Sequence, residues 1–240
     1  MLLRLPTSVS EAQECLAEEA VPIGGATLVW ADWQRDGFPE RAMSLRNLPE
    51  ANVIGSGTLG AAVVLNRIDR RVPDVIRMAA ATVGTGAVRR TATVGGNLVG
   101  STLRCLLPAA LVLGARASVL GPDGVHDTDL AEVVAKRPLL LGIHWREPVA
   151  TAYRKLSAEA GGPPPLVVAA AVHADGAGRL RLQVAVRDGY DVISDGTPCD
   201  TGGEDALRAL RRTALGDLPA AAWVIIGHQA TELLSPFGVQ

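Results

Sequence analysis

The spacing of apolar residues changes along the chain, and each change marks an element. At the start, "LLRLP" reads as a short strand. Ser8 then stands as an N-cap with Glu11 three residues on, the spacing of a capping box, and Ala12, Cys15, Leu16 and Ala20 share one helical face. "AVPIGGATLVWADW" reads as a strand that reaches Gly24 and Gly25 and continues into an apolar stretch. "AMSLRNLPE" and "NVIGSGTLGAAVV" read as strands and turns, and "PDVIRMAAATV" as a helix with Pro73 at an early position. In "RTATVGGNLVGS" the β-branched Thr91, Thr93 and Val94 predict a strand that runs into Gly95 and Gly96. A helix over "CLLPAALVLG", a strand over "ARASVLG", a turn at "PDGVHD" and a strand over "RPLLLGIHW" follow.

The character changes near residue 148. "TAYRKLS" reads as a strand and "GGPPP" as a loop. Residues 166–173 and 179–187 are apolar arms around "ADGAG", the clearest hairpin in the chain. "GEDALRALRRTAL" and "AAAWVIIGHQATELL" carry helical patterns. These elements predict an N-terminal region over residues 1–148, itself two α+β subdomains with a break near residue 50, and a C-terminal α+β domain over residues 149–240.

Composition narrows the functional classes. The 240 residues are 48% hydrophobic but only 3% aromatic, so the core is built from Ala, Val, Leu and Ile. A formal charge of −2 and so few aromatic rings leave neither a basic field nor stacking platforms for nucleic acid. No apolar run approaches the roughly 20 residues that span a bilayer, and the N-terminus lacks a signal-peptide pattern. Cys15, Cys105 and Cys199 are odd in number and far apart, which fits reduced thiols in a cytoplasmic protein. No CxxC pair exists to hold an iron–sulfur cluster or zinc, and His126, His144, His173 and His228 have no metal-ligand spacing. The runs "DRRVPD" and "RALRR" read as solvated faces, and Trp30, Trp33, Trp145 and Trp223 as packing residues.

The glycines carry the chemistry. Glycine tolerates positive φ and lets another group approach the main chain, and successive N–H groups in such a turn form a concavity for an anion. "PIGGATL" and "TVGGNL" are two such loops, and "IGSGT" is a third Gly-rich turn. Two double-glycine loops could hold the two phosphates of one dinucleotide from either side, or each could be a tight turn. Neither GxGxxG nor GxxxxGK[ST] is present, which argues against a nicotinamide-binding Rossmann domain and a P-loop NTPase.

Taken in order, "GGATL", "IGSGT", "VRRTATVGGNL", "LGARASVLGPDG" and "AYRKLS" resemble the FAD-binding medium subunit of molybdenum hydroxylases, the carbon monoxide dehydrogenase and xanthine dehydrogenase relatives. That family shows an AGGT-like first loop, an "IRN-x-ATIGGNL" second loop and a "YRK" strand. The resemblance implies an α+β fold in which two subdomains clasp FAD, followed by a small α+β C-terminal domain. It implies that Ile23, Gly24, Gly25, Ala26, Thr27 and Leu28 wrap the FAD pyrophosphate. Thr93, Gly95, Gly96 and Asn97 would face it from the second subdomain, with Arg154 or Lys155 near the flavin or its phosphates. On this reading the backbone is bared so that a diphosphate can sit against it. FAD would take electrons from a partner's iron–sulfur clusters and pass them to NAD, oxygen or another acceptor. The partners implied are an iron–sulfur small subunit and a molybdopterin large subunit, where hydroxylation itself would occur.

The sequence also departs from the family. Where the family has an Asp in a stretch like "SPxxDLxP", this chain has "STLRCLLPAAL", which puts Leu106 or Cys105 at that place. Position 90 is Arg in place of a frequent Asn, and no "GGVAPTP" strand follows "VISDG". The short C-terminal domain admits a stand-alone flavoenzyme, and the missing carboxylate admits a non-redox descendant that binds FAD weakly or not at all.

Overall fold

A computed structural model describes residues 1–157, 161–200 and 202–237. Mixed helix and sheet, the α+β class expected from the sequence, divides into two compact units. The first comprises Met1–Val72, Val83–Arg104 and Ala115–Trp145; the second comprises Pro73–Thr82, Cys105–Gly114 and Arg146–Gln240.

The first unit holds two sheets. A small parallel sheet has the order Leu2–Arg4, Arg41–Met43, Val21–Pro22. Helix Val9–Ala17 supports it. Its N-cap Ser8 accepts from the Glu11 amide at 3.2 Å, and Ala12 and Cys15 are buried, the first beside Leu45 and Leu48, the second beside Met43. The reciprocal half of the capping box is displaced by one residue. The Glu11 carboxylate accepts from the Thr7 amide at 2.7 Å and the Thr7 hydroxyl at 3.0 Å, and the amide contact holds its pKa below the usual carboxylate range.

The second sheet is antiparallel throughout, in the order Ile54–Gly55, Thr58–Gly60, Leu139–His144, Arg116–Gly121, Gly124–Asp129. "PDGVHD", expected as a turn, is mostly strand. Only Pro122 and Asp123 turn, because Gly124 at φ 110° closes a two-residue hairpin that pairs Gly121 with Gly124. The apolar stretch after Gly25 is helix Val29–Asp36, which buries none of its side chains. Trp30, 49% exposed, packs edge-on against Phe38 at 5.4 Å, and Trp33 does so at 6.1 Å; Trp145 and Trp223 are buried.

The second unit is built on a four-stranded antiparallel meander of Ala150–Lys155, Val167–Ala174, Leu180–Asp188 and Asp191–Pro198. Residues 167–172 are all buried, so this strand is covered on both faces. Val168, Ala170 and Val172 join the core under helices Gly203–Leu210 and Ala220–Leu234. Helices Asp74–Ala81 and Leu107–Val112 also pack on the meander. His173 Nε2 lies 2.7 Å from the Val112 carbonyl, and the Tyr153 hydroxyl 3.0 Å from the Thr82 hydroxyl. Among the described residues, no helix is long and apolar enough to cross a membrane.

Replacing the helix cap, Ser8→Ala, is expected to lower stability by about 1 kcal/mol, because the Glu11 amide loses its acceptor. Denaturant unfolding followed by circular dichroism measures it.

Candidate functional site

Strand Val21–Pro22 delivers the first glycine loop, and the Ile23 amide, bonded to the Met43 carbonyl at 2.8 Å, fixes its start. Ala26 then takes a left-handed conformation at φ 56°, and its carbonyl accepts from Trp30 at 3.1 Å as the following helix begins. A residue with a Cβ is strained there by roughly 1–2 kcal/mol.

The second glycine loop differs from the expected strand. Thr93 makes one isolated bridge with Val64, and the chain turns helical at once. Gly95 has φ −61° and ψ −44°, and Gly96–Gly100 form a widened helical turn. Pairing with the neighbouring segment is brief: the Ala92 carbonyl accepts from Leu65 and the Val94 amide donates to Val63, and from Val94 on the chain coils. Gly95 donates to the Ala61 carbonyl at 2.8 Å, Gly96 to the Thr93 hydroxyl at 3.2 Å, and Asn97 to the Thr93 carbonyl at 3.0 Å.

None of Gly24, Gly25, Gly95 and Gly96 has a positive φ. What they supply is close approach. A Cβ on Gly24 would overlap the Thr93 hydroxyl, and one on Gly25 would overlap the Thr91 carbonyl. A Cβ on Gly95 would stand 3.0 Å from that of Ala61, and one on Gly96 3.1 Å from the Thr93 hydroxyl. The side chains are absent where one loop meets the other, where Gly95 meets Ala61, and where Gly96 meets Thr93.

Both loops wall one cavity of about 580 Å³, within the roughly 300–1,000 Å³ typical of ligand pockets. The structure brings Ile23, Gly24, Gly25, Ala26, Thr27, Leu28, Thr93, Gly95, Gly96 and Asn97 into its lining. It adds residues that sequence reading missed, among them Ser44, Arg46, Ala61, Ser101 and Leu140. They come from separate segments that only the fold assembles, and no local motif marks them. All belong to the first unit.

The loops offer different donors. The amides of Gly24, Gly25, Ala26, Thr27 and Leu28 donate to no described residue, whereas those of Gly95, Gly96 and Asn97 are already bonded. Consecutive unspent amides around a left-handed residue form a concavity for an anion. Hydroxyls of Thr27 and Ser101 add neutral donors along the walls, while that of Thr91 donates to the Val88 carbonyl at 3.2 Å. Size, amides and hydroxyls together fit a dinucleotide diphosphate.

Arg154 and Lys155 belong to the second unit and do not line this cavity. Arg154 is exposed. The Lys155 ammonium donates to the Thr82 carbonyl at 2.7 Å. Beside it, burial pushes the Tyr153 phenol up, opposed by its bond to Thr82. Cys105 and Leu106, where the family carries Asp, are buried in the second unit. Arg187, 1% exposed, donates to the Cys105 sulfur at 3.3 Å and the Pro165 carbonyl at 2.7 Å. Among the described residues, no group of three His, Cys, Asp or Glu stands close enough to hold a metal ion. Ser118, Asp127 and His144 do meet on adjacent strands. The Ser118 hydroxyl donates to Asp127 at 2.7 Å and lies 3.5 Å from His144, so its proton is directed to the carboxylate and not to the base.

Residues 3–140 match the family described as the FAD binding domain in molybdopterin dehydrogenase. No curated protein matches the chain by sequence. Its fold is similar to that of Cu,Mo-CO dehydrogenase in a cyanide-inactivated form, with TM-score 0.69 and 19% identity over 98% of this chain and 95% of that one. Reconstituted CO dehydrogenase from Oligotropha carboxidovorans gives 0.68 and 19% over 98% and 95%. Quinoline 2-oxidoreductase from Pseudomonas putida 86 gives 0.66 and 18% over 98% and 96%. At these identities the likeness is one of fold.

Two neighbouring substitutions are expected to act in opposite directions. Gly25→Ala drives a methyl group into a backbone carbonyl that cannot rotate away, and overpacking of this kind costs roughly 1–3 kcal/mol. Ala26→Gly relieves the left-handed strain and stabilises by up to about 1 kcal/mol, partly offset by the added freedom of the unfolded chain. Thermal melts of the two variants beside the parent give both signs.

Proposed function

This chain belongs to the family of FAD-binding domains of molybdopterin dehydrogenases, and on that premise we propose that its two glycine loops hold the diphosphate of FAD within a molybdenum hydroxylase-type complex. FAD is the family's cofactor; when bound, it supplies the redox chemistry. The protein supplies position. The amides of Gly24–Leu28 receive the phosphate oxygens, and the second loop, by packing Thr93 and Thr91 under Gly24 and Gly25, holds the first in its strained form. The observation that carries this reading is the difference between the loops in unspent amides. The apolar walls, Val64, Val83 and Leu140 among them, exclude water around the ligand.

Within the complex the chain would take electrons from the iron–sulfur clusters of a small subunit and deliver them to NAD or oxygen. A separate molybdopterin subunit would carry out hydroxylation, and the assembly would work in the cytoplasm. The chain's own residues provide no metal centre among those described, and its cavity holds no carboxylate or imidazole to serve as an acid or base.

Amide hydrogen exchange tests the site. Addition of FAD is expected to slow exchange at Gly24–Leu28 and to leave Gly95–Asn97, whose amides are already bonded, nearly unchanged. Protection confined to the second loop would reverse the assignment. A kinetic test addresses the complex. The FAD-loaded chain alone is expected to pass electrons from NADH to an artificial dye and to leave purines, aldehydes and N-heterocycles unoxidised. Turnover of any of these by the chain alone would show that it needs no molybdopterin partner.

A further inference from the structure

The cavity is nearly without charge. Its lining includes hydroxyls, one amide side chain, small apolar residues and backbone, but a single ionised side chain, Arg46. No carboxylate lines it. Arg46 follows Leu45 in the short turn Leu45–Asn47, just after strand Arg41–Met43. The carbonyl of Arg46 is held by the Asn52 side chain at 3.1 Å, which fixes the backbone from which the side chain extends. The residue is exposed, and among the described residues its guanidinium has no ion pair and no hydrogen bond. Glu18, Asp32, Asp36 and Glu40 of the same unit are engaged by Arg4, Arg35 and Arg41.

We propose that Arg46 is the countercharge of the bound diphosphate and sets the cavity's preference for phosphate-bearing over neutral ligands. This rests on the FAD reading of the cavity. A diphosphate brings two negative charges out of water against walls that are otherwise neutral. Neutral amides share that charge but do not balance it, and an unbalanced charge is costly to bury. An exposed guanidinium, unpaired among the described residues and belonging to a lining residue, supplies a planar fork suited to phosphate oxygens. Because Arg46 has no ion-pair partner among the described residues, none of those pairs has to break when the ligand arrives.

The test is a charge series at one position, Arg46→Lys, Arg46→Gln and Arg46→Glu, titrated with FAD at low salt and at about 1 M salt, where the screening length falls to about 3 Å. Arg46 is exposed, so the variants are expected to fold as the parent does, and thermal melts check this. Loss of one charge-assisted contact weakens binding roughly tenfold or more. Affinity for FAD is therefore expected to fall in the order Arg, Lys, Gln, Glu, with about tenfold between Arg and Gln, and the spread is expected to narrow at high salt. ADP, used as a competitor, should follow the same order, and riboflavin, which lacks phosphate, should bind all four proteins equally. A purely structural role would give neither the ordering by charge nor the salt dependence. If the parent binds FAD and the Gln and Glu variants match it within twofold, Arg46 is not the countercharge and the FAD site stands. If riboflavin falls as FAD does, the residue acts on something other than the phosphates, and the inference is overturned. If the parent shows no saturable FAD or ADP binding, the assignment of the cavity itself fails and takes this inference with it.

Discussion

The close approach of two loops governs the first unit. Gly24 and Gly25 lie so near Thr93 and Thr91 that a single carbon on either would overlap its neighbour. This contact ties residues about seventy positions apart and sets one wall of the cavity against the other. It also decides which face of each loop remains available. The side-chain faces of the glycines are consumed by packing, while the amides from Gly24 to Leu28 stay unspent. Local strain at Ala26 persists because the surrounding contacts fix the loop's path, the usual circumstance in which a left-handed non-glycine residue survives.

The second unit obeys a different constraint, imposed by a chain with few aromatic residues. Its central strand is nearly all Val and Ala and is buried from Val167 to Val172. Small side chains let helices come close to the sheet. Larger groups fill the remaining space from the neighbouring strands: Tyr153 pairs in register with Ala169, and Arg187 with Val167. Both are polar groups in a buried place and both reach a partner, Tyr153 the Thr82 hydroxyl and Arg187 the Cys105 sulfur and Pro165 carbonyl. An Asp at position 105, restoring the family's carboxylate in that register, would thus stand against a buried guanidinium.

The electrostatics of the cavity follow from what is missing. Its walls carry one cation and no carboxylate, and the unspent donors along them are mostly backbone amides.

Much of this was legible along the chain because it depends on neighbours in sequence. The Ser8 cap, the hairpin around residue 175, the closing helices and the two glycine loops are local patterns, fixed by backbone conformation and by spacing of apolar residues. The family could be read from the loop motifs in order, since short main-chain motifs keep their meaning wherever the chain carries them. Three features could not be read this way. The strand expected at Thr91–Val94 shrank to one bridge, Thr93 with Val64, before the chain turned helical at Val94, which only tertiary pairing decides. The glycines proved to serve contact and not positive φ, because what a Cβ would strike depends on a loop far along the chain. Arg46 and Ser44 joined the cavity without any motif of their own, because a wall assembled from several segments exists only after they pack. Sequence determined the caps, the hairpin and the family; tertiary structure decided which amides are free and which residues share their cavity, since both depend on distances that no local pattern records.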